Sequence, residues 1–539
     1  MGIGRISNLA NKTIEFMNTK SDFDDLFVCE NIIVIVEYST LKSSELSSHL
    51  KKKKILYDKI LGYQGEFTKW LKEQAQTSDP SFSFGNYHNS RFKVYVIYAS
   101  KNTVDETLKS DVPDIHYFDY NIVKYFSVVA DAVKKSARYE LLKFIGVASS
   151  QFGENALNAA KSKVPRYTGA ALPEAHSSLE DGFKIITFYI EPEELLRKAY
   201  VLRKDGWSKD NQIYQRMIKV SKIKAIRNHL RTNKRVFVNN IIVSLPAQTK
   251  LLDENGNAVK LGTIVETKPV EIQLPDEFNS IGIVDGQHRV FAYHEGGLND
   301  DVIKPLREQQ CLLVTGILYP ENYSQTDRTK FEAKLFLQIN ANQTSANADI
   351  KQSIALISDP YSADSIARRT INGMNLSGPL VGKFEMYFFE TKKLKVTSIV
   401  SYALRPLCNP RNPTGMFAKW PASDKEALIN NPTEEILERY VKFCVQQINM
   451  FLGAAKTNLS DDIWTLDKSN ENRLLTTAAI NGFINCIRRI LDNGGELKNF
   501  EYLSEKLKPI NTMRLKRFKS SQYGAMGEAI YSTCFSKGQ

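Results

Sequence analysis

The 539-residue sequence has no apolar run long enough to span a bilayer, and its start, MGIGRISNLANKTIEF, lacks a charged segment followed by an apolar block. A soluble, cytoplasmic protein without a membrane partner is the expectation. Its six cysteines are widely scattered and none forms a C-x-x-C pair, which argues against a zinc knuckle and a disulfide framework and fits a reducing compartment. No G-x-S-x-G elbow, Walker A loop or H-E-x-x-H helix occurs. His49, His88, His116, His176 and His229 show no metal-ligand spacing and read as surface or core residues, and His294 is expected on a different side of its helix from His288.

What is present in excess is positive charge. A formal +12 at pH 7 and a pI near 9.1 suit a polyanionic partner such as nucleic acid, or equally a solvated basic surface. The short stretch RLKRFKSS (Arg514 to Ser521) has the same two readings. The length calls for two to four domains.

The first, 1–150, reads as α/β. NIIVIVEY (Asn31 to Tyr38) and FKVYVIYA (Phe92 to Ala99) suit buried strands, and between them Leu50, Ile55, Ile60, Phe67 and Trp70 recur at helical spacing. The Ala/Ser/Gly/Pro-rich segment 151–182 reads as a linker. A mixed α/β domain over 183–376 follows, with strands at KIITFYI, VNNIIVSLP and SIGIV, a turn at DENGNAV and a helix through YQRMIKVSKIKAIRNHL. The remainder, 377–539, is mostly helical, with Gly494 and Gly495 as a stop signal.

Chemistry concentrates in SIGIVDGQHRVFAYHEGG (Ser280 to Gly297). If SIGIV is a strand and RVFAYHE opens a helix, Asp285 to Arg289 form the turn between them, where free N–H groups and a positive helix end favour a phosphate. Gly286 would let a ligand approach the backbone, Arg289 clamp phosphate oxygens, His288 exchange a proton, and Asp285 hold a metal, orient the histidine or bond a ribose hydroxyl. The plainer alternative is a capped turn in which Arg289 pairs with a carboxylate.

The pentapeptide DGQHR resembles the signature of the DGQHR-domain family, which includes DndB-like regulators of DNA phosphorothioation and is similar to the ParB/sulfiredoxin-type fold. Two further blocks agree: YQRMIKVSKIKAIRNHL (Tyr214 to Leu230) and FLQINANQTSANADI (Phe336 to Ile350). The resemblance implies an α+β nucleotide-binding domain. Gly286, Gln287, His288 and Arg289 would lie on the phosphate side, Gln215 and Arg216 would line the cleft, and Asn340 with Asn342 or Asn347 would close it. Asp285, His288 and Arg289 would carry any catalysis there, on ATP or CTP with Mg2+. INANQTSANADI lacks the acid-plus-arginine pattern of ParB, so a CTP-clamp mechanism is not carried over.

SDFDDLFVCENIIVIVEYSTLK (Ser21 to Lys42) resembles the restriction-endonuclease fold with its PD-(D/E)xK metal site. On that resemblance Asp24 and Glu37 are the metal carboxylates, with Asp25 as an alternate. Ser39 stands where the lysine belongs, so the site reads as degenerate unless one of Lys51 to Lys54 substitutes.

The expectation is therefore a multidomain α/β protein: an endonuclease-like first domain, a central DGQHR domain and a helical C-terminal domain. It would bind a nucleotide and act on DNA in bacterial DNA modification or anti-phage defence, its first domain binding or cutting DNA under control of the nucleotide state. The rivals are a non-enzymatic, DndB-like DNA-binding regulator and a DNA-independent NTPase or kinase. Other proteins of such a system, and a second copy of the chain, are the further partners expected.

Overall fold

A computed structural model describes residues 1–76, 84–157, 165–201, 218–341, 348–387, 390, 392–460, 462–471, 473–519 and 521–536. They form a mixed α/β protein with several sheets, one curled into a half barrel, and a helical C-terminal region. The chain divides into two compact units, parted between Arg328 and Thr329. No helix among the described residues is long and apolar enough to cross a membrane.

The first unit holds two large sheets. In the five-stranded one, Gly4–Arg5 (β1), Asp25–Cys29 (β2), Ile32–Ser39 (β3), Lys93–Ser100 (β4) and His116–Phe118 (β5) lie in chain order. β3 pairs antiparallel with β2 and parallel with β4. Its run of β-branched residues fits this central place, since Ile32 to Val36 are all buried and only Tyr38 is exposed.

A parallel pair needs a crossover, which the helix Ser43–Gly62 (α1) and the helix Gln64–Gln76 supply. On α1 the buried stripe runs Leu46, Leu50, Lys53, Tyr57 and Ile60, alternating steps of four and three. Ile55, expected on that stripe, is 58% exposed because it falls on the opposite side. Lys53 therefore occupies a core position.

The second sheet has eight strands: Arg166–Pro173 (β6), Lys184–Ile190 (β7), Ala199–Val201 (β8), Ile241–Ser244 (β9), Lys250–Leu252 (β10), Lys268–Gln273 (β11), Ile281–Asp285 (β12) and Leu312–Leu318 (β13). Their order is β8-β12-β9-β13-β7-β6-β11-β10. Segment 151–182, expected as a linker, thus contributes β6, hydrogen-bonded on both sides to β7 and β11. Its small residues suit that place: a Cβ on Gly169 would meet the Thr187 carbonyl oxygen at 2.1 Å. The helix expected from Tyr214 runs over Val220–Asn233 (α2), and residues 214–217 lie outside the described ones.

The second unit is helical. Two of its longest helices, Glu434–Thr457 (α3) and Thr477–Asp492 (α4), begin at Thr433 and Thr476, whose hydroxyls accept from the N–H groups of Ile436 and Ala479. One hydrophobic core joins Ile448, Phe451 and Leu452 of α3 to Phe483, Ile484 and Ile487 of α4 and to Met526 and Ile530 of the helix Tyr523–Cys534.

Candidate functional site

The five residues Asp285 to Arg289 do form a turn between a strand and a helix, but the helix is the single short segment Gln287–Phe291. It ends there because the chain turns through Tyr293 and His294 into Gly296 and Gly297, both at positive φ. Gly286 caps it in the left-handed region, φ 94°, and its carbonyl accepts from the N–H groups of Arg289 and Val290 at 2.9 and 3.2 Å.

The role expected of this glycine, opening the backbone to a ligand, is not what its surroundings display. A Cβ there would lie 2.6 Å from Ile241 Cδ1 and 3.1 Å from Arg289 Nη2, so dense packing as well as positive φ excludes a side chain. Gly286→Ala is expected to cost about 1–3 kcal/mol from backbone strain and overpacking. Urea denaturation of the purified variant measures this; an unchanged midpoint would contradict it.

Arg289 donates from Nη2 to Asp285 Oδ2 at 3.0 Å, one helical turn away. Burial lowers the pKa of the guanidinium and Asp285 opposes that shift. The arginine thus takes the carboxylate partner of the plainer alternative. His288 is buried, and its Nε2 accepts the Lys219 N–H at 3.1 Å, which assigns its ring proton to Nδ1. Gln287 is different. It is 1% exposed, yet among the described residues neither its amide nitrogen nor its amide oxygen has a hydrogen-bond partner.

Two clamps hold the chain that follows this turn. Arg227 of α2 is buried and spends all five N–H donors: Nε on Leu298 O, Nη1 on Ala292 O and His294 O (2.8 Å each), and Nη2 on Gly296 O and Asp300 Oδ1 (3.1 and 3.2 Å). Arg307 adds Tyr293 O, His294 O and Asp300 Oδ1. From the other side Glu295 bonds Arg138 (2.7 Å), and its backbone pairs with the Lys135 N–H and the Ser136 hydroxyl. This joins the segment after the first sheet to the loop after the turn. No local pattern in the sequence singles out Arg227, Arg307 or Glu295.

A second polar cluster sits at the carboxyl end of β3. Glu37 is buried; its Oε1 lies 2.9 Å from Lys53 Nζ and 3.4 Å from His49 Nε2, and Tyr57 OH is 3.5 Å from Oε2. Lys53 also donates to the carbonyl and carboxylate of Asp22, at 2.7 and 2.9 Å. His49 Nδ1 is 3.1 Å from Tyr98 OH. Burial pushes the Glu37 carboxyl up to about 7, against the opposing pull of Lys53. Burial also lowers His49, and the Lys53 hydrogen bond lowers Asp22.

The ammonium beside Glu37 comes from Lys53 of α1. His49, Lys53 and Tyr57 stand four apart on one helix face, a spacing readable in the sequence once that face is known to meet Glu37. Asp24 accepts the Tyr38 N–H at 2.6 Å. Asp25, the alternate ligand, is held by Arg5 at 2.5 Å and by Tyr38 OH at 3.1 Å. Among the described residues no three of His, Cys, Asp and Glu are grouped to hold a metal ion. Glu37 is engaged by Lys53 and Asp24 by the Tyr38 N–H.

Gln215, Arg216, Asn342 and Asn347 lie outside the described residues. Asn340 lies on the helix Gln325–Ala341, in the second unit. The structure therefore brings together Asp285 to Arg289, and separately Asp22, Glu37, His49 and Lys53. No protein-family model, curated protein or solved structure matches this chain.

Proposed function

We propose that the chain binds a nucleotide at the Asp285–Arg289 turn and acts on DNA, in bacterial DNA modification or anti-phage defence, as the DGQHR resemblance implies. The observation that carries this reading is Gln287. A buried amide without partners costs about 1–3 kcal/mol for each unsatisfied group, and a ligand with a donor–acceptor edge, as a nucleobase has, would satisfy both. Arg289 beside it offers the guanidinium for phosphate oxygens, with Asp285 as the partner it would exchange. Magnesium enters this reading with the triphosphate it accompanies, not through a carboxylate site of the protein.

Titration calorimetry with ATP, CTP and GTP tests the reading. Arg289→Ala is expected to weaken binding of the preferred nucleotide by about 10- to 100-fold, the worth of a charge-assisted hydrogen bond. Equal affinity in wild type and variant would refute it.

A second reading concerns the first domain. The Lys53–Glu37 contact favours a site that handles a phosphodiester, with a carboxyl near neutrality as proton acceptor and an ammonium beside it. Plasmid DNA incubated with wild type and run on a gel separates a cutting protein from a non-enzymatic regulator.

A further inference from the structure

The basic stretch that begins at Arg514 belongs to neither site. In the second unit it forms one wall of a cavity of about 420 Å³, opposite the loop that leads into α4. Three cations line it, Lys468, Arg473 and Lys516, against one acid, Glu471. The nearby Asp467 accepts from the N–H and hydroxyl of Ser469 at 2.9 and 2.8 Å and also feels the charge of Arg473. Arg514, Arg517 and Lys519 extend the positive surface along the same segment, all exposed.

The floor is apolar: Leu474, Leu515 and Met526 are buried, and the half-buried Phe518 adds an aromatic ring to the lining. Arg517 lies over that ring at 4.8 Å from its centroid, which helps to hold its orientation. The start of α4 contributes Thr476 and Ala479 to the wall, adding the positive end of a sixteen-residue helix.

A cationic rim over an apolar, aromatic floor, in a cavity of ligand size, matches a ligand that is anionic at one end and a flat ring at the other. We propose that this cavity takes one nucleotide of single-stranded nucleic acid. The phosphodiester would meet Lys468, Arg473 and Lys516, the base would lie against Phe518 and Leu515, and the exposed arginines would follow the backbone onward. The proposal concerns the second unit alone and does not rest on the turn at Asp285 to Arg289.

Fluorescence anisotropy of a labelled oligothymidylate with the full chain tests it. Arg473→Ala combined with Lys516→Ala is expected to weaken binding about 10- to 100-fold at low salt and to flatten the salt dependence by about 1.4 in log–log slope, as loss of two phosphate contacts requires. Lys516→Glu, a change at an exposed position, serves if the double variant fails to fold, and is expected to weaken binding at least as much as loss of one contact. Unchanged affinity and slope in the cavity variants would overturn the proposal. So would thymidine monophosphate competing as well as the oligomer, which would make the cavity a free-nucleotide site.

Discussion

Arg227→Met is expected to destabilise the first unit by about 3–5 kcal/mol, the range for breaking a buried charged network by removing one partner. The methionine fills similar space, but five acceptors lose their donor together: four carbonyls between Ala292 and Leu298, and Asp300. Asp300 keeps Arg307, and the His294 carbonyl keeps a second donor from the same residue, so the loss is not total. Arg227→Lys should recover little. An ammonium brings three donors from one point, whereas the acceptors are spread around a planar fork. Urea denaturation gives the stability change, and amide hydrogen exchange over 292–300 locates it. A variant with wild-type midpoint and protection would show that Arg307 and Glu295 hold the loop without Arg227.

The second large effect concerns Glu37 and has a definite pH dependence. Its carboxyl is raised from the usual 4.5 to about 7 in the folded chain. Between these values the folded state holds a proton that the unfolded state has released. Its contribution to stability is therefore fully present below about pH 4.5 and is lost as pH rises through about 7, an amount on the order of 3 kcal/mol. Glu37→Gln removes this slope. The stability difference between wild type and Glu37→Gln, measured in urea near pH 5 and again near pH 8, should shift in favour of the variant at the higher pH by about that amount. Parallel profiles would sink the idea.

Lys53→Met makes the same point from the other side. Without its ammonium the buried Glu37 loses the one lysine paired with it among the described residues, and the loss at the higher pH should reach about 3–5 kcal/mol. The double change Glu37→Gln with Lys53→Met should recover most of it, since replacing both partners of a buried pair is often neutral. If plasmid cleavage is found, both single variants should abolish it, and only the pH profile separates a proton acceptor from a structural carboxylate.

Much of this architecture is written in local pattern. The β-branched run Ile32 to Val36 is apolar on both faces, so it belongs in the middle of a sheet covered on two sides. Lys184–Ile190 and Ile281–Asp285 are likewise short apolar runs bounded by turn residues. The threonines before α3 and α4 mark where those helices begin. At 285–289 a glycine between an acid and an amide announces a turn, and the turn is there.

What local pattern does not contain is the choice of partner. Arg289 has a carboxylate four residues back and takes it, while Arg227 finds its acceptors 65 to 73 residues away. The inward stripe of α1 was legible only to within a rotation. A shift of two positions separates the exposed Ile55 from the buried Lys53, and only packing on the sheet selects between them. The same packing decides that Lys53 of that helix meets Glu37. Hydrophobic periodicity acts over a few residues and sets which segments are strand or helix. Neutralising a buried charge acts through space, so the sequence by itself determined the elements and the turn, and the tertiary structure alone decided which side chains face one another across them.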